Sequence, residues 1–302
     1  MLDQPNWRRF QRHGFDDGKF NLEFTSNRGD GTEHPPLFPG YINHASHPLT
    51  YIQSLTYEID GKLTNKWSGT DSPERFNESK KKSPSDWKYL TKDVDYLVNT
   101  SGFRTTEFKN IDWQNSIVLL GCSCTFGIGL AEDETIAYEL EQRLGRPVIN
   151  LGIPGGSNQH IINVCSALRE KFPTPAGIVI NWSTGDRFPY YFKYDQYQVG
   201  PWDTTSVRGS DLIRDGVNIS KLWENRYFDR YNELCESYYL SRTANAIWKD
   251  ITKYVTISQF TDAAHAMRVD KFFEIDLGAR DLLHPGHASS IKIAEYLYSK
   301  LK

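Results

Sequence analysis

The sequence predicts an α/β protein built on a parallel sheet. Short apolar runs typical of buried strands alternate with amphipathic helical stretches between residue 113 and about residue 188. The order is strand, helix, strand, helix, strand, at spacings that suit βαβ units. Connections of this kind join parallel strands through right-handed crossovers. We therefore expect one parallel sheet with helices packed beside it.

Each segment of this unit has local signals for its type. The first helix has acidic residues at its start and is stopped by Gly145-Arg146-Pro147, as helix-end chemistry expects. The predicted segments are strand Ser116–Leu120, helix Asp133–Leu144, strand Val148–Leu151, helix Asn158–Lys171 and strand Gly177–Trp182. Three further elements are predicted near the end of the chain: helix Ser258–Met267, strand Phe272–Ile275 and helix Ala288–Leu301.

Two regions interrupt or precede this pattern. Residues 1–112 are polar and rich in aromatic residues, Pro, Gly and His, which predicts an irregular or β-rich N-terminal extension of unknown role. Residues 113–302 form the main predicted domain. Within it, about 189–255 reads as an insertion, aromatic at first and then amphipathic from Leu222 to Trp248. This insertion is either a lid or substrate wall, or an ordinary helical subdomain packed on the sheet.

Composition narrows the function classes. The 302-residue chain has a formal net charge of -3, which gives no electrostatic case for nucleic acid or an anionic membrane. No apolar run approaches the ~20 residues that span a bilayer, and the first residues lack the apolar core of a secretory signal. The four cysteines form no CxxC pair, which favours a reduced, cytoplasmic chain. His44 and His47 lack companions at ligand spacing, so we expect no metal site there. The sequence implies no organic cofactor.

Ser123 is the leading candidate for chemistry. It follows a buried-type strand at a turn of small residues, just before a predicted helix. Ligands of open α/β sheets bind at such carboxyl ends of strands. A serine hydroxyl needs a base within hydrogen-bond reach, and that base needs a group to orient it. Asp281 and His284, three residues apart before the last helix, have a spacing that suits this pair.

These motifs resemble the SGNH (GDSL-like) hydrolase superfamily. Gly121–Gly127 is similar to its first block, Asn150–Gly155 to its second and Asp281–Pro285 to its last, and Asn99–Glu107 to a lead-in segment. The resemblance covers about residues 98–301 apart from the insertion. It implies a three-layer α/β/α sandwich with a flavodoxin-like sheet. It also implies Ser123 as nucleophile, His284 as general base and Asp281 as its orienter, with an oxyanion hole from the N–H groups of Ser123 and Gly152 and a side-chain amide.

The third block departs from the family pattern. Glycine stands at position 185, where the family has an asparagine. Asn158 and Asn181 are the candidate replacements for the missing amide. We favour Asn158, because its loop is expected at the carboxyl edge of the sheet, whereas Asn181 is expected within a strand. Arg187 and His160 are candidate substrate-binding residues. A structural salt bridge for Arg187 and a packed helix position for His160 are the competing interpretations.

The sequence therefore predicts a serine esterase or deacylase. Its substrate would be a small acyl ester, with O-acetyl groups on a saccharide as the candidate, since the aromatic segments suit sugar rings. An O-acyltransferase with the same acyl-serine intermediate is the first alternative. A catalytically weak binding module is the second, because the third block is degenerate. The sequence does not indicate an oligomeric state.

Overall fold

The computed structural model describes residues 64–192, 195–201 and 230–302, which all belong to one compact unit of the chain, His47–Lys302. His44, His47, the rest of residues 1–63 and, within the predicted insertion, residues 193–194 and 202–229 lie outside the described residues. In chain order, the described strands and helices are β1 (Thr64–Asn65), α1 (Pro73–Lys82), β2 (Tyr96–Leu97), β3 (Ile117–Gly121), α2 (Ser123–Phe126), α3 (Ile136–Leu144), β4 (Val148–Gly152), α4 (Asn158–Lys171), β5 (Gly177–Trp182), β6 (Phe188–Phe192), β7 (Asp195–Val199), α5 (Arg230–Trp248), β8 (Lys253–Ser258), α6 (Thr261–Met267), β9 (Lys271–Phe272) and α7 (His287–Leu301).

Five strands form the central sheet in the order β4-β3-β5-β8-β9, and all neighbours are parallel. The register places Gly121 level with Gly152 on one side and with Asn181 on the other. The carboxyl ends of β3, β4 and β5 therefore meet at one edge of the sheet. The predicted parallel α/β sheet is confirmed.

Helices cover both faces of this sheet. Along β3, Val118 and Leu120 pack in one cluster with side chains from α4, α5 and α6. Ile117 and Leu119 point to the opposite face and pack with side chains from α3 and α7. Alternate residues of a strand face opposite sides of the sheet. All four side chains are fully buried, so each contributes about 1.5–3 kcal/mol to the free energy of unfolding. The chain forms a three-layer α/β/α sandwich.

One core strand was missed by the sequence prediction. Lys253–Ser258 is strand β8, beside β5, whereas we placed the insertion up to about residue 255 and began a helix at Ser258. The helix α6 begins at Thr261 instead. The run Lys-Tyr-Val-Thr-Ile-Ser alternates between the two faces, with Val255 and Ile257 in the cluster on the α3–α7 side. This alternation was the available signal for a strand.

Helix α5 lies within the predicted amphipathic stretch. Its last turns pack on the sheet, because Ala244 and Trp248 are fully buried in the cluster on the α4 side. This part of the predicted insertion is therefore a structural layer of the sandwich.

The described part of the N-terminal region packs against the loop that follows Ser123. Strands β1 and β2 pair antiparallel, and Tyr89, Val94 and Tyr96 form a small core with Phe126 and Ile128. The segment from residue 64 to residue 112 thus contributes directly to the position of the serine turn.

Arg104 holds the same loop through polar contacts. Its buried guanidinium donates to the carbonyl oxygens of Gly127 (2.8 Å) and Leu130 (3.0 Å), and to the Glu132 carboxylate (2.8 Å). Hydrogen bonds from a charged donor are stronger than those between neutral groups, so these contacts fix the loop.

Candidate active site

Ser123 is the first residue of α2 and lies two positions after Gly121, the last residue of β3. The helix is a single turn, closed by the N–H of Gly127 donating to the carbonyl of Ser123 at 3.0 Å. Gly127 is left-handed with φ +84°, so the chain turns sharply away after it. Ser123 is 7% exposed, at the carboxyl edge of the central sheet.

Asp281 and His284 are brought together in the loop between β9 and α7. The Nδ1 atom of His284 lies 2.7 Å from Oδ2 of Asp281. The other oxygen, Oδ1, accepts the backbone N–H groups of Leu283 (3.0 Å) and His284 (3.1 Å). This arrangement gives Nδ1 the proton in the interaction with the carboxylate, and leaves Nε2 to act as the base.

The electrostatics of Asp281 suit an orienting carboxylate. The side chain is fully buried, and burial raises its pKa. The hydrogen bond and charge of His284, together with hydrogen bonds from Thr70 and the Leu283 N–H, outweigh burial and hold the pKa below its usual value. Asp281 is therefore ionised at neutral pH and can stabilise a charged imidazole.

The serine turn and the acid–base loop are neighbours. The carbonyl of Gly129, shortly after α2, accepts the N–H of Arg280 at 2.9 Å. A hydrogen bond with Cys122 and burial raise the pKa of Cys124, and the charge of Asp281 raises it further. Within the described residues, no hydrogen bond joins the Ser123 hydroxyl to the His284 ring. Catalytic hydrogen bonds are often long without substrate and tighten when it binds.

Thr70 is a site residue that the sequence analysis missed. Its Oγ1 donates to Oδ2 of Asp281 at 2.6 Å and lies 3.4 Å from Nδ1 of His284. The two residues are 211 positions apart, and a threonine in a turn-rich segment carries no local signal for such a contact.

The predicted role of Gly152 does not match its environment. Its N–H donates to the side-chain Oδ1 of Asn150 at 2.9 Å, so this donor already has an acceptor. A Cβ at this position would lie 2.3 Å from the backbone nitrogen of Phe126. The physical reason for glycine here is therefore the close approach of α2 to β4, and we correct the oxyanion role on that ground.

Gly155, three residues later, has a different environment. It is half-buried, left-handed with φ +71°, and lies in the loop that leads into α4. This loop contacts the end of β3, where the N–H of Ile153 donates to the carbonyl of Gly121 at 3.0 Å. Within the described part of the chain, the Gly155 N–H has no acceptor.

Both asparagines proposed as the third donor already use their amide N–H groups in hydrogen bonds within the protein. The Asn158 amide donates to the carbonyls of Ser183 (2.9 Å) and Thr184 (3.3 Å), and its oxygen accepts the Ser183 N–H. The Asn181 amide donates to Thr125 Oγ1 and to Gln259 Oε1, each at 3.0 Å. Both side chains are buried and join neighbouring loops of the sheet edge. The preference for Asn158 as an oxyanion donor is corrected on this observation.

The space beside Gly185 is occupied by a side chain from α5. A Cβ at position 185 would lie 2.5 Å from Oε1 of Glu233 and 2.7 Å from its Cγ. A second carboxylate of the same helix, Glu236, accepts a hydrogen bond from Gln159. Helix α5 therefore brings one carboxylate to the loop that follows β5 and a second to the first turn of α4. Glu233 stands where a side chain at 185 would project.

Arg187 is half-buried near the serine turn. A hydrogen bond with Cys124 lowers the pKa of Cys122, and the charge of Arg187 lowers it further. The guanidinium also lies 5.9 Å from the centre of the Phe260 ring. Both cysteines are buried free thiols, consistent with small packed residues at the turn. Arg187 thus places positive charge close to the nucleophile candidate.

His160 is fully buried within α4. Burial lowers its pKa to about 3, so the ring is neutral at physiological pH. A ring with no exposed surface does not line an open cleft, and the substrate-binding role predicted for His160 is corrected.

Among the described residues, no cluster of three or more His, Cys, Asp and Glu side chains could hold a metal ion. Across the same residues, no helix combines the length and the apolarity needed to cross a bilayer.

No family model and no curated protein matches the sequence. Among solved structures, the chain is similar over 62% of its length to a carbohydrate esterase family 2 enzyme of Corynascus thermopiles (Myceliophthora fergusii), at 13% identity and a TM-score of 0.37. It is similar over 69% of its length to an acetyl xylan esterase from the rumen bacterium Butyrivibrio proteoclasticus, at 12% identity and a TM-score of 0.36. Each match spans 65% of the esterase chain, less than two thirds of its length.

A structure from Desulfitobacterium hafniense described as a lipolytic protein of the G-D-S-L family is similar over 62% of this chain and 99% of its own. The identity is 13% and the TM-score 0.31. At these identities the chemistry of the present chain has to be argued from its own residues.

Proposed function

We propose that this protein is a serine esterase with Ser123 as nucleophile, His284 as general base and Asp281 as the orienting carboxylate. One observation carries the proposal: a buried, ionised Asp281 holds the His284 imidazole on a loop that contacts the serine turn. A base with a fixed tautomer beside an activated hydroxyl is the arrangement that acyl transfer requires.

The reaction follows from these roles. Oγ of Ser123 attacks the ester carbonyl carbon while Nε2 of His284 takes the hydroxyl proton. The tetrahedral intermediate collapses, the C–O bond to the alcohol breaks, and His284 gives its proton to the leaving alcohol. Water then attacks the acyl-serine with His284 again as base, and the acid product leaves as Ser123 regains its proton. Asp281 remains ionised throughout and stabilises the imidazolium.

The oxyanion hole in this proposal uses the backbone N–H groups of Ser123 and Gly155. Neither N–H has an acceptor within the described residues. Ser123 opens α2 two residues after Gly121, and Gly155 lies in the loop whose Ile153 N–H donates to the Gly121 carbonyl. Each such donor is typically worth ~3–4 kcal/mol of barrier. Since Asn158 and Asn181 use their amides to join loops, catalysis by two backbone donors should be slower than by three.

The substrate class in this proposal is a small acyl ester, with O-acetylated saccharides as candidates. Helix α5 brings the carboxylates of Glu233 and Glu236 beside Gly185 and Gln159, and the charge of Arg187 extends to the serine turn. This combination suits a substrate rich in hydroxyl groups, because carboxylates accept several hydrogen bonds each.

A binding module without appreciable catalysis is the second candidate. The observation that favours it is the engagement of both asparagine amides, together with the glycine at position 185. Such a protein would retain the acid–base pair but turn over esters little faster than the background reaction.

An activity screen separates the two candidates. Wild-type protein would be assayed on p-nitrophenyl acetate and on a panel of acetylated saccharides, beside Ser123→Ala and the exposed-serine control Ser299→Ala. We expect hydrolysis by wild type and Ser299→Ala, and its loss in Ser123→Ala with unchanged circular dichroism. Equal hydrolysis by Ser123→Ala contradicts the esterase proposal, and no hydrolysis by the folded wild type favours the binding module.

A further inference from the structure

We infer that Thr70 is a positioning residue for the Asp281–His284 pair, contributed by the segment that precedes the core domain. The expected effect of Thr70 on catalysis rests on the proposed function. The contact itself does not: Thr70 fixes the Asp281 carboxylate, which orients the His284 ring.

The contact completes the hydrogen bonding of Asp281. Oδ1 accepts two backbone N–H groups, from Leu283 and His284. Oδ2 faces His284 Nδ1 at 2.7 Å and accepts the Thr70 hydroxyl at 2.6 Å. An ionised carboxylate offers about four acceptor sites. With two donors on each oxygen, rotation of the carboxyl group away from the imidazole would break two hydrogen bonds.

Thr70 is itself held in a short, well-anchored turn. Ser68 and Asp71 exchange both of their backbone hydrogen bonds at 3.0 Å, and Gly69 between them is left-handed with φ +59°. Thr70 is therefore presented at the tip of a tight turn.

Asp71 fixes this turn to the core domain. Its carboxylate accepts Nη2 of Arg280 at 2.6 Å and the hydroxyl of Tyr96 at 2.5 Å, and all three side chains are buried. Two successive residues of the N-terminal segment, Thr70 and Asp71, thus contact two successive residues of the acid–base loop, Asp281 and Arg280. The Asp71–Arg280 ion pair sets the distance between the turn and the acid–base loop, and the Thr70 hydroxyl makes the contact with the Asp281 carboxylate.

The chemical consequence follows from the exposure of the two groups. Asp281 is buried, whereas Thr70 is exposed and lies 3.4 Å from Nδ1. The hydroxyl therefore covers the Asp281–His284 contact on its solvent side. His284, on the same loop, contacts the carboxylate directly, and the charge of Asp281 extends to α2, where it raises the pKa of the Cys124 thiol. Loss of the hydroxyl removes one of the hydrogen bonds that keep Asp281 ionised.

The test uses Thr70→Val, Thr70→Ser and the control Thr106→Val in the full chain. Valine keeps the shape of threonine but removes the hydroxyl, and serine restores the hydroxyl. Thr106 is an exposed threonine of the same segment that contacts neither Asp281 nor His284. Two readouts are needed: kcat and KM on p-nitrophenyl acetate, and a 13C NMR titration of the Asp281 carboxyl carbon, assigned with Asp281→Asn.

We expect Thr70→Val to lower kcat about tenfold with KM nearly unchanged, since a hydrogen bond to a charged group is lost. The pH at which Asp281 protonates should rise. Thr70→Ser should stay within about twofold of wild type by the same reasoning, and Thr106→Val should match wild type. An unchanged Asp281 titration in folded Thr70→Val overturns the inference, as does a Thr70→Ser that loses as much kcat as Thr70→Val.

The two proposals fail in different ways. If wild type shows no Ser123-dependent hydrolysis while the Asp281 titration moves in Thr70→Val, the esterase proposal fails and the positioning contact stands. If hydrolysis depends on Ser123 while both kcat and the titration are unchanged in Thr70→Val, the esterase proposal stands and the Thr70 inference fails.

Discussion

Asp71 and Arg280 form a buried ion pair across 209 residues of sequence, with Nη2 and Nε of the guanidinium 2.6 and 3.0 Å from the carboxylate oxygens. The pair joins the turn that carries Thr70 to the loop that carries Asp281. Arg280 also lies 4.2 Å from the centre of the Trp67 ring, which covers the pair on one side. The N-terminal segment is therefore part of the structure that orients the candidate base.

Asp71→Asn should be strongly destabilising. Removing one partner leaves the Arg280 charge buried and uncompensated, a change that typically costs about 3–5 kcal/mol. Urea unfolding would measure the loss of unfolding free energy. The control is Glu78→Gln, which breaks the exposed pair with Arg75 and should cost no more than about 1 kcal/mol. Similar small losses in both variants would show that the Asp71–Arg280 pair does not fix the loop.

Gly185→Asn should not restore a third oxyanion donor by itself. An asparagine Cβ would lie 2.5 Å from Glu233 Oε1, so the new side chain meets the carboxylate of α5. We expect lower stability and no gain in kcat for Gly185→Asn. In combination with Glu233→Ala, the same substitution should raise kcat about tenfold over Glu233→Ala alone, since a single oxyanion donor is worth that much or more.

The four proteins of this comparison form a double-mutant cycle. Kinetics on p-nitrophenyl acetate measure the coupling between the two positions. An increase in kcat for Gly185→Asn with Glu233 intact would contradict the conclusion that Glu233 occupies this space.

Asn158→Ala should affect stability more than catalysis. The buried amide joins α4 to the backbone of Ser183, so its removal leaves buried N–H and C=O groups unpaired, at about 1–3 kcal/mol. Chemical unfolding measures this loss, and active-site titration corrects kcat for the folded fraction. A fall in corrected kcat of about 10²-fold with unchanged stability would return Asn158 to the oxyanion hole.

His160 should make the protein less stable in mild acid. Its pKa falls from 6.5 to about 3 on burial, so below pH 6.5 the unfolded chain binds a proton that the folded chain does not. Stability is therefore lost as the pH falls from 6.5 toward 3, at about 1.4 kcal/mol per pH unit.

His160→Phe removes this proton-linked contribution. Comparing unfolding free energies at pH 7 and pH 5, the drop should be about 2 kcal/mol smaller in His160→Phe than in wild type. An identical drop in both proteins would mean that His160 is protonated in the folded state. Each comparison is made within one protein, so any packing cost of phenylalanine cancels.

The sequence was informative where neighbours along the chain decide the structure. The strand at Ile117–Gly121 is a continuous apolar run and the strand at Val148–Gly152 is apolar apart from Asn150. Their burial on both faces explains that pattern. Strand β8 was missed because a charged and an aromatic residue open it and it directly follows a helical region. Its two-residue neighbour β9 is shorter than the strand predicted there.

Contacts across long sequence separations were not predictable in the same way. Nothing near Thr70 indicates a partner 211 residues away, and nothing near Gly185 indicates that Glu233 fills the adjacent space. Asn158 opens α4 and Asn181 lies within β5, but their hydrogen bonds to Ser183 and Thr125 depend on how neighbouring segments pack. Residue type and spacing predict which groups reach a site, whereas the choice of partner depends on packing.

The central claim is that Ser123 is a nucleophile activated by His284. The most direct test is the rate of labelling by a fluorophosphonate, with peptide mapping of the modified residue, in wild type and His284→Ala. We predict one label per chain, on Ser123, and labelling at least about 10²-fold slower in His284→Ala because the base is missing. A label on another residue, or equal rates in the two proteins, would contradict the claim.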